Sequence, residues 1–378
     1  MKKIMCLVFA LLATVFLVSC GDSKVAEFEN QCLELVCENG KVFVRGAFNS
    51  ENSNSVQYVV NCEVIRDNNP DKPLNISKTF SLEKGANSFE IEINIGSKEQ
   101  TVKASVTTKD GKEICSLVEK TFKSLRILSI GNSFSVDAQE YLYGIAKDVG
   151  FDNVILGNLY VGGCSLQGHH NYFVNERNPY TYYKNTTGEW TEKAETSMLE
   201  GIVDEDWDYI TLQQASPCSG QSETYEPYLT KLINYVKLNK TNPKAEIVWH
   251  MTWAYASDST YEHFANYDYD QMKMYEAIVN ATEEKAANHP DISFVIPSGT
   301  AVQNARSTEL GDTLCRDGFH LDLNYGRYLA GLTWIHKITG ESVDDVTYIP
   351  EGAFDKETLE ILKKCAKNAV NSPFEVTV

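Results

Sequence analysis

The sequence predicts two domains, an all-β sandwich followed by an α/β domain built on a parallel sheet. The chain has 378 residues, well above the length of about 150 residues expected for one domain. Residues 25–123 alternate between apolar and polar side chains with the period of two that marks β-strands. From residue 124 onward, apolar β-runs alternate with helical segments, which is typical of a parallel α/β sheet.

The composition limits the possible partners. Hydrophobic residues make up 43% of the chain and charged residues 23%, which is ordinary for a globular protein with a buried core. The formal net charge is −18. Such a surface repels phosphate groups, so nucleic acids are excluded as expected partners.

The first 24 residues predict export and a lipid anchor. Lys2 and Lys3 precede an apolar run that ends in small residues before Cys20, and the run is shorter than the roughly 20 residues of a membrane-spanning helix. The segment resembles bacterial lipoprotein signals, which implies cleavage after residue 19, acylation of Cys20 and a tether over residues 20–24. We therefore expect an exported protein anchored in the cell envelope, on the periplasmic or surface face of the outer membrane.

Residues 25–123 predict an immunoglobulin-like sandwich of about seven strands. Turn residues at 38–40, 67–70 and 109–111 separate the alternating runs. Eight of the ten cysteines follow Cys20, and an exported protein can form disulfides, but the spacing assigns no pairing.

Residues 124–378 predict the α/β domain. The predicted strands cover residues 125–130, 153–159, 209–212, 246–251 and 292–296. The predicted helices cover residues 138–149, 192–202, 228–238, 269–287 and 326–338. Ligands of such sheets bind at the carboxyl ends of the strands, so the residues that follow each strand are the candidates for a site.

Ser133 follows the first of these strands, in a Gly-Asn-Ser-Phe-Ser sequence at residues 131–135. A strand-to-helix turn exposes a serine oxygen, and the unpaired N–H groups at a helix start stabilise negative charge. The alternative is a serine that only caps the helix.

Asp317 and His320 lie just before the last predicted helix. A three-residue spacing in a loop can bring the carboxylate to one nitrogen of the imidazole, which leaves the other nitrogen to face a serine. Asp312 and Asp322 are competing carboxylates that the spacing does not exclude.

Two further signals follow the second and third strands. Gly162 and Gly163 lie after the second, and Gln213 and Gln214 after the third. A glycine lets a backbone N–H approach a ligand closely, and a carboxamide supplies an N–H without charge. Both positions are therefore candidates for stabilising an oxyanion.

The order of these parts resembles the SGNH hydrolases, also called the GDSL esterase/lipase superfamily, across residues 125–340. The chain looks closer still to an uncharacterised branch of exported bacterial SGNH-like lipoproteins. The resemblance implies a three-layer α/β/α flavodoxin-like domain without a cofactor. It also implies that Ser133 is the nucleophile, His320 the general base and Asp317 the carboxylate that orients the base.

The resemblance further implies an oxyanion hole made of the Ser133 N–H, the Gly163 N–H and a side-chain amide. An asparagine is usual at the third position, where this chain has Gln213 and Gln214. We expect Gln214 to be the donor, since alternation along the strand directs only one of the two into the cleft.

The substrate signals are aromatic. Rings are frequent at residues 172–190 and again at residues 249–255, and they offer stacking faces for sugars or ordinary packing surfaces. Gln213, His250 and Trp253 are the candidate substrate contacts, and for His250 a structural role in the core is the alternative.

The sequence predicts no metal site, because the pair His169 and His170 has no acid or third histidine at ligand spacing. The function expected is a serine esterase that removes an acyl group, O-acetyl above all, from a carbohydrate. A non-catalytic glycan-binding lipoprotein on the same scaffold is the alternative.

Overall fold

The computed structural model describes residues 33–38, 40–50, 56–82, 85–96 and 98–377. The predicted signal peptide, the acylation site at Cys20 and the tether lie outside these described residues. Among the residues that are described, no helix is long and apolar enough to cross a membrane.

The first part of the chain forms two antiparallel sheets that share one core. The first has the strand order β1-β2-β5, and in the second β3 pairs with β4 and β6 while β6 pairs with β7. The strands are β1 (Leu33–Glu38), β2 (Lys41–Ser50), β3 (Val56–Arg66), β4 (Leu74–Leu82), β5 (Gly85–Asn94), β6 (Glu99–Thr108) and β7 (Glu113–Gly131). Val44, Val60, Ile91 and Phe122 lie in the shared core. Cys115 is disulfide-bonded.

Strand β7 belongs to both parts of the molecule. It has 19 residues; its first part pairs with β6, and the residues from Ser124 to Gly131 form the first strand of the α/β sheet. The predicted domain boundary at residue 124 thus lies inside one continuous strand. Side chains add to the connection, since Lys98 Nζ donates to Tyr209 Oη at 2.9 Å and Arg126 Nη2 donates to the carbonyl of Ile95 at 2.7 Å.

The α/β sheet has the strand order β10-β9-β8-β7-β11-β12-β13. Strands β8, β7, β11, β12 and β13 are parallel, and β9 and β10 are antiparallel. Its further strands are β8 (Asn153–Tyr160), β9 (Tyr180–Asn185), β10 (Trp190–Thr196), β11 (Tyr209–Leu212), β12 (Glu246–His250) and β13 (Val295–Ile296). The mixed α/β class predicted from the sequence is confirmed.

Apart from α6, the helices fall into two groups by their contacts. Helices α1, α2, α7, α8 and α9 contact one another, and so do α3, α4 and α5. The helices are α1 (Ser133–Gln139), α2 (Leu142–Asp148), α3 (Leu166–Val174), α4 (Met198–Val203), α5 (Tyr228–Asn239), α6 (Gln271–Ala281), α7 (Ser298–Arg306), α8 (Tyr325–Thr339) and α9 (Lys356–Asn371). Every residue of β11 is buried, as expected for a parallel strand covered on both faces.

Several predicted elements differ from those observed. The helix expected over residues 192–202 is divided between β10 and α4, and the helix expected over residues 138–149 is divided between α1 and α2. The aromatic segment contains β9, which pairs with the edge of β8. The reason is tertiary: an exposed sheet edge supplies hydrogen-bond partners that no local sequence pattern reveals.

Replacing Phe122 by alanine tests the shared core. Phe122 is fully buried, so its truncation leaves a cavity and should lower the free energy of unfolding by about 3–5 kcal/mol. Urea denaturation followed by fluorescence measures this. Leu238→Ala is the control, because that side chain is 85% exposed and its loss should change the free energy by less than about 0.5 kcal/mol. Equal effects of the two substitutions would contradict the shared core.

Candidate active site

Ser133 is the first residue of α1, and only Asn132 separates it from the end of β7. The cap of this helix is its neighbour Asn132, whose Oδ1 accepts from the Phe134 N–H at 3.0 Å. The turn is tight, since a Cβ at Gly131 would lie 2.6 Å from Ser135 Oγ. Ser133 therefore does not cap the helix, and its hydroxyl is available for other contacts.

That hydroxyl meets the predicted base. Ser133 Oγ lies 2.8 Å from His320 Nε2, and His320 Nδ1 lies 2.7 Å from Asp317 Oδ2. The other oxygen of Asp317 accepts from the His320 backbone N–H at 2.8 Å. The structure thus brings the three predicted catalytic residues into one chain of hydrogen bonds.

The charge on Asp317 fixes the direction of these bonds. Partial burial raises the pKa of Asp317, but the hydrogen bonds from His320 outweigh it and hold that pKa below its usual range. A charged carboxylate can only accept. In the neutral ring, His320 Nδ1 therefore carries the proton and Nε2 accepts from Ser133.

The competing carboxylates are engaged elsewhere. Asp312 Oδ1 lies 2.8 Å from Arg306 Nε, and Asp312 Oδ2 accepts from the Ser257 N–H at 2.6 Å. Asp322 Oδ1 accepts from the Asn324 N–H at 2.9 Å, at the start of α8. Both therefore stabilise loops rather than the base.

The loop that carries the base is closed and tightly packed. The Arg316 N–H donates to the carbonyl of His320 at 2.9 Å, and the Ala256 N–H donates to the carbonyl of Gly318 at 2.8 Å. Gly318 has a φ of +89°, and a Cβ there would lie 2.8 Å from Ser259 Oγ. Only glycine fits this position without strain.

A buried carboxylate that the sequence analysis missed joins the two halves of the site. Asp137 lies four residues after Ser133 on α1 and is 1% exposed. It accepts from Arg316 Nη1 at 3.2 Å, from Arg327 Nε at 2.8 Å and from the Leu321 N–H at 2.9 Å. Its place one helical turn after the serine was the available signal.

The turn that contains Gly163 lies beside the serine turn. Asn132 Nδ2 donates to the carbonyl of Cys164 at 3.1 Å, which joins the two turns. Gly163 is exposed and has a φ of +62°. Within the described part of the chain, no hydrogen bond uses the backbone N–H of Ser133 or of Gly163. Both predicted backbone donors are therefore available to an oxyanion.

The third predicted oxyanion donor, Gln214, is not available. Its Nε2 donates to Thr224 Oγ1 at 3.0 Å and to the Thr224 carbonyl at 3.4 Å, which uses both protons. Its Oε1 accepts from the Leu166 N–H at 3.1 Å. The prediction for Gln214 is therefore corrected: this carboxamide anchors the start of α3.

Gln213 and His250 are also corrected, because both are buried under the serine turn and cannot reach a substrate. Gln213 Nε2 donates to Asn132 Oδ1 at 2.8 Å, and Gln213 Oε1 lies 3.0 Å from His250 Nδ1. Since Asn132 donates to a backbone carbonyl and accepts from a backbone N–H, the orientation of each amide is determined in turn. His250 must then carry its proton on Nδ1.

Trp253 is a packing residue as well, since it is fully buried. Its ring stacks on Phe134 with centroids 4.2 Å apart, and its Nε1 donates to the carbonyl of Phe319 at 2.8 Å. It therefore positions the base loop against the serine helix instead of contacting a substrate.

No group of three or more metal-binding side chains occurs within the described ranges. His169 is buried and its Nδ1 lies 2.9 Å from Tyr180 Oη. His170 packs its ring against Tyr228 and Phe173. The histidine pair thus belongs to the packing around α3.

Comparisons with known proteins identify relatives of the α/β part. The family model DUF4886, described as a domain of unknown function, matches residues 126–369. A crystal structure of a DUF4886 family protein from Bacteroides uniformis is 42% identical, with a TM-score of 0.65, and covers 68% of this chain and 98% of that chain. No curated protein matches the sequence.

Two solved acetylesterases are more distant. Axe2, an acetylxylan esterase from Geobacillus stearothermophilus, is 12% identical with a TM-score of 0.37, and covers 56% of this chain and 93% of its own. A carbohydrate acetylesterase from Xanthomonas citri is 8% identical with a TM-score of 0.34, and covers 82% of this chain and 73% of its own.

The tautomer of His250 can be measured. Burial lowers the pKa of His250 to about 3, so the ring should stay neutral with its proton on Nδ1 throughout the range from about pH 5 to 9. Side-chain ¹⁵N shifts measured by NMR report the tautomer, and His250→Asn assigns the signal. An imidazolium pattern at pH 6, or a proton on Nε2, would contradict the hydrogen-bond directions given above.

Proposed function

The chain belongs to the DUF4886 family, whose function is unknown, and for this member we propose a serine ester hydrolase with Ser133 as the nucleophile. The observation that carries the proposal is the hydrogen-bond chain from Ser133 through His320 to Asp317. An activated serine requires a base within hydrogen-bond reach and a third group that orients the base.

In the first half of the reaction, Ser133 Oγ attacks the ester carbonyl carbon while His320 Nε2 takes the serine proton. The resulting oxyanion accepts from the N–H groups of Ser133 and Gly163. Collapse breaks the bond to the alcohol, which leaves with the proton from His320. In the second half, water gives a proton to His320 and attacks the acyl-enzyme, and Ser133 recovers its proton as the acid departs. Asp317 stabilises the imidazolium in both halves.

The proposed substrate is an acyl group, O-acetyl above all, on a carbohydrate. Half-buried rings flank the base: Phe319 lies 4.2 Å from His320 between ring centroids, and Tyr261 stacks on Phe319 at 4.6 Å. Such rings offer faces on which sugars pack. The net charge of −18 favours a neutral glycan over a polyanionic one.

The alternative, a glycan-binding protein without turnover, is less well supported. Binding alone requires no serine bonded to a base, and the site contains that arrangement complete. Release of acetate from an acetylated xylan separates the two functions, since a binding protein would retain the polymer without deacetylating it.

The proposal includes the cellular location of the protein and the layers of its α/β domain. Acylation of Cys20 would anchor it in the cell envelope, with the immunoglobulin-like sandwich as a spacer. The two helix groups would cover opposite faces of the sheet and complete the three-layer α/β/α architecture, as the burial of β11 supports.

Hydrolysis of an aryl acetate tests the nucleophile. Ser133→Ala should lower kcat by on the order of 10⁴-fold or more, because no other group forms the acyl-enzyme. The control is Ser342→Ala, at a serine on the loop after α8, which should retain the full rate. Equal rates for wild type and Ser133→Ala would contradict the serine mechanism.

Labelling by a fluorophosphonate tests the same site without turnover. The probe should add its mass at Ser133 and not at Ser135, whose Oγ is buried and bonded to Asn158. His320→Ala should slow the labelling strongly, because the serine then lacks its base. Labelling at another residue, or at an unchanged rate without His320, would contradict the assignment.

A further inference from the structure

We propose that Asp137, Arg316 and Arg327 form an ionic clamp that positions His320 against Ser133. This proposal rests on the proposed function, in which these two residues are base and nucleophile. The clamp does not touch the reacting atoms: Asp137 is 1% exposed and cannot reach a substrate. It would act only through the placement of the base.

The position of Asp137 on α1 is the first argument. Residues four apart on a helix lie on the same face, one turn from each other, so Asp137 lies beneath Ser133. Any group that binds Asp137 is therefore held at a fixed place relative to the serine. The helix is held in turn by the cap at Asn132 and by the stacking of Phe134 on Trp253.

The partners of Asp137 are the second argument. Arg316 precedes Asp317 directly, Leu321 follows His320 directly, and Arg327 lies in α8. Arg316 Nη1 reaches both oxygens of Asp137 at 3.2 Å and also donates to the Leu321 carbonyl. The segment that carries acid and base is thus held to the serine helix at both of its ends.

The chemistry of the clamp is the third argument. One carboxylate can accept several hydrogen bonds at once, and Asp137 accepts from both ends of the base segment and from α8. Buried ion pairs add little net stability compared with apolar packing, whereas removing one partner leaves a costly unpaired charge. Here the ion pairs fix the position of the base, because a displacement of a catalytic group by about 1 Å can lower the rate roughly 100-fold.

Asp137→Asn tests the clamp. The carboxamide has the same shape but presents an N–H₂ group to arginines that can only donate. We expect kcat for an aryl acetate to fall roughly 10- to 100-fold, with KM nearly unchanged, and the His320 side-chain ¹⁵N shifts to move.

Glu140→Gln is the matched control. Glu140 follows the last residue of α1 and binds Arg327 of the clamp, with 3.2 Å between Glu140 Oε2 and Arg327 Nη1, but its side chain is 33% exposed. Among the described contacts, it has none with the base loop. This variant should retain kcat within about twofold and leave the His320 shifts in place.

A second pair of variants covers the case in which Asp137→Asn does not fold. Arg316→Gln removes one arm of the clamp at a side chain that is 29% exposed, and it should lower kcat. Arg316→Lys keeps a charge within reach of Asp137 and should restore part of that loss. A folded Asp137→Asn or Arg316→Gln protein with wild-type kcat and unchanged His320 shifts would overturn the clamp.

The outcomes separate this proposal from the proposed function. If the wild type neither hydrolyses esters nor reacts with a fluorophosphonate, the esterase proposal fails, and the His320 shifts still decide whether Asp137 positions the ring. If the wild type is active and a folded Asp137→Asn or Arg316→Gln protein keeps its kcat and its His320 shifts, the clamp fails alone.

Discussion

The hydrogen bond between Ser133 and His320 joins two positions 187 residues apart, and most of the local structure holds its two ends in place. Ser133 follows a strand in the middle of the sheet, while His320 lies in a short closed loop before α8. Neither turn could fix the contact alone. The strand order brings the two regions to one edge of the sheet, and the contacts around Asn132 and Asp137 then set their orientation.

Beneath the serine lies a layer of buried polar groups that would be costly without partners. Asn132 bonds to two backbone groups, Gln213 bonds to Asn132, and His250 Nδ1 bonds to Gln213. Such a layer specifies one arrangement, because rotating a single amide would break its bonds with both neighbours. The conformation of the nucleophile turn therefore depends on residues that never meet the substrate.

The sequence was sufficient for the features that depend on spacing along the chain. The alternating runs predicted the strands. The position of Ser133 after a strand, and of Asp317 and His320 before the last predicted helix, predicted a shared site. It was not sufficient for features that depend on which way a side chain points. Gln213 follows β11 and His250 is the last residue of β12, where substrate contacts often lie, yet both side chains are buried. The direction of such a side chain depends on how the elements pack, and a single sequence does not show that packing.

Strand β7 has no loop between its two sheets. At about 3.3 Å per residue, a fully extended strand of 19 residues spans about 60 Å, with the sandwich at one end and Ser133 just past the other. Because the strand is continuous, the backbone itself links the position of Ser133 to that of the sandwich strands. A lipid anchor at the N-terminal end, as proposed above, would therefore place the sandwich between the membrane and the active site.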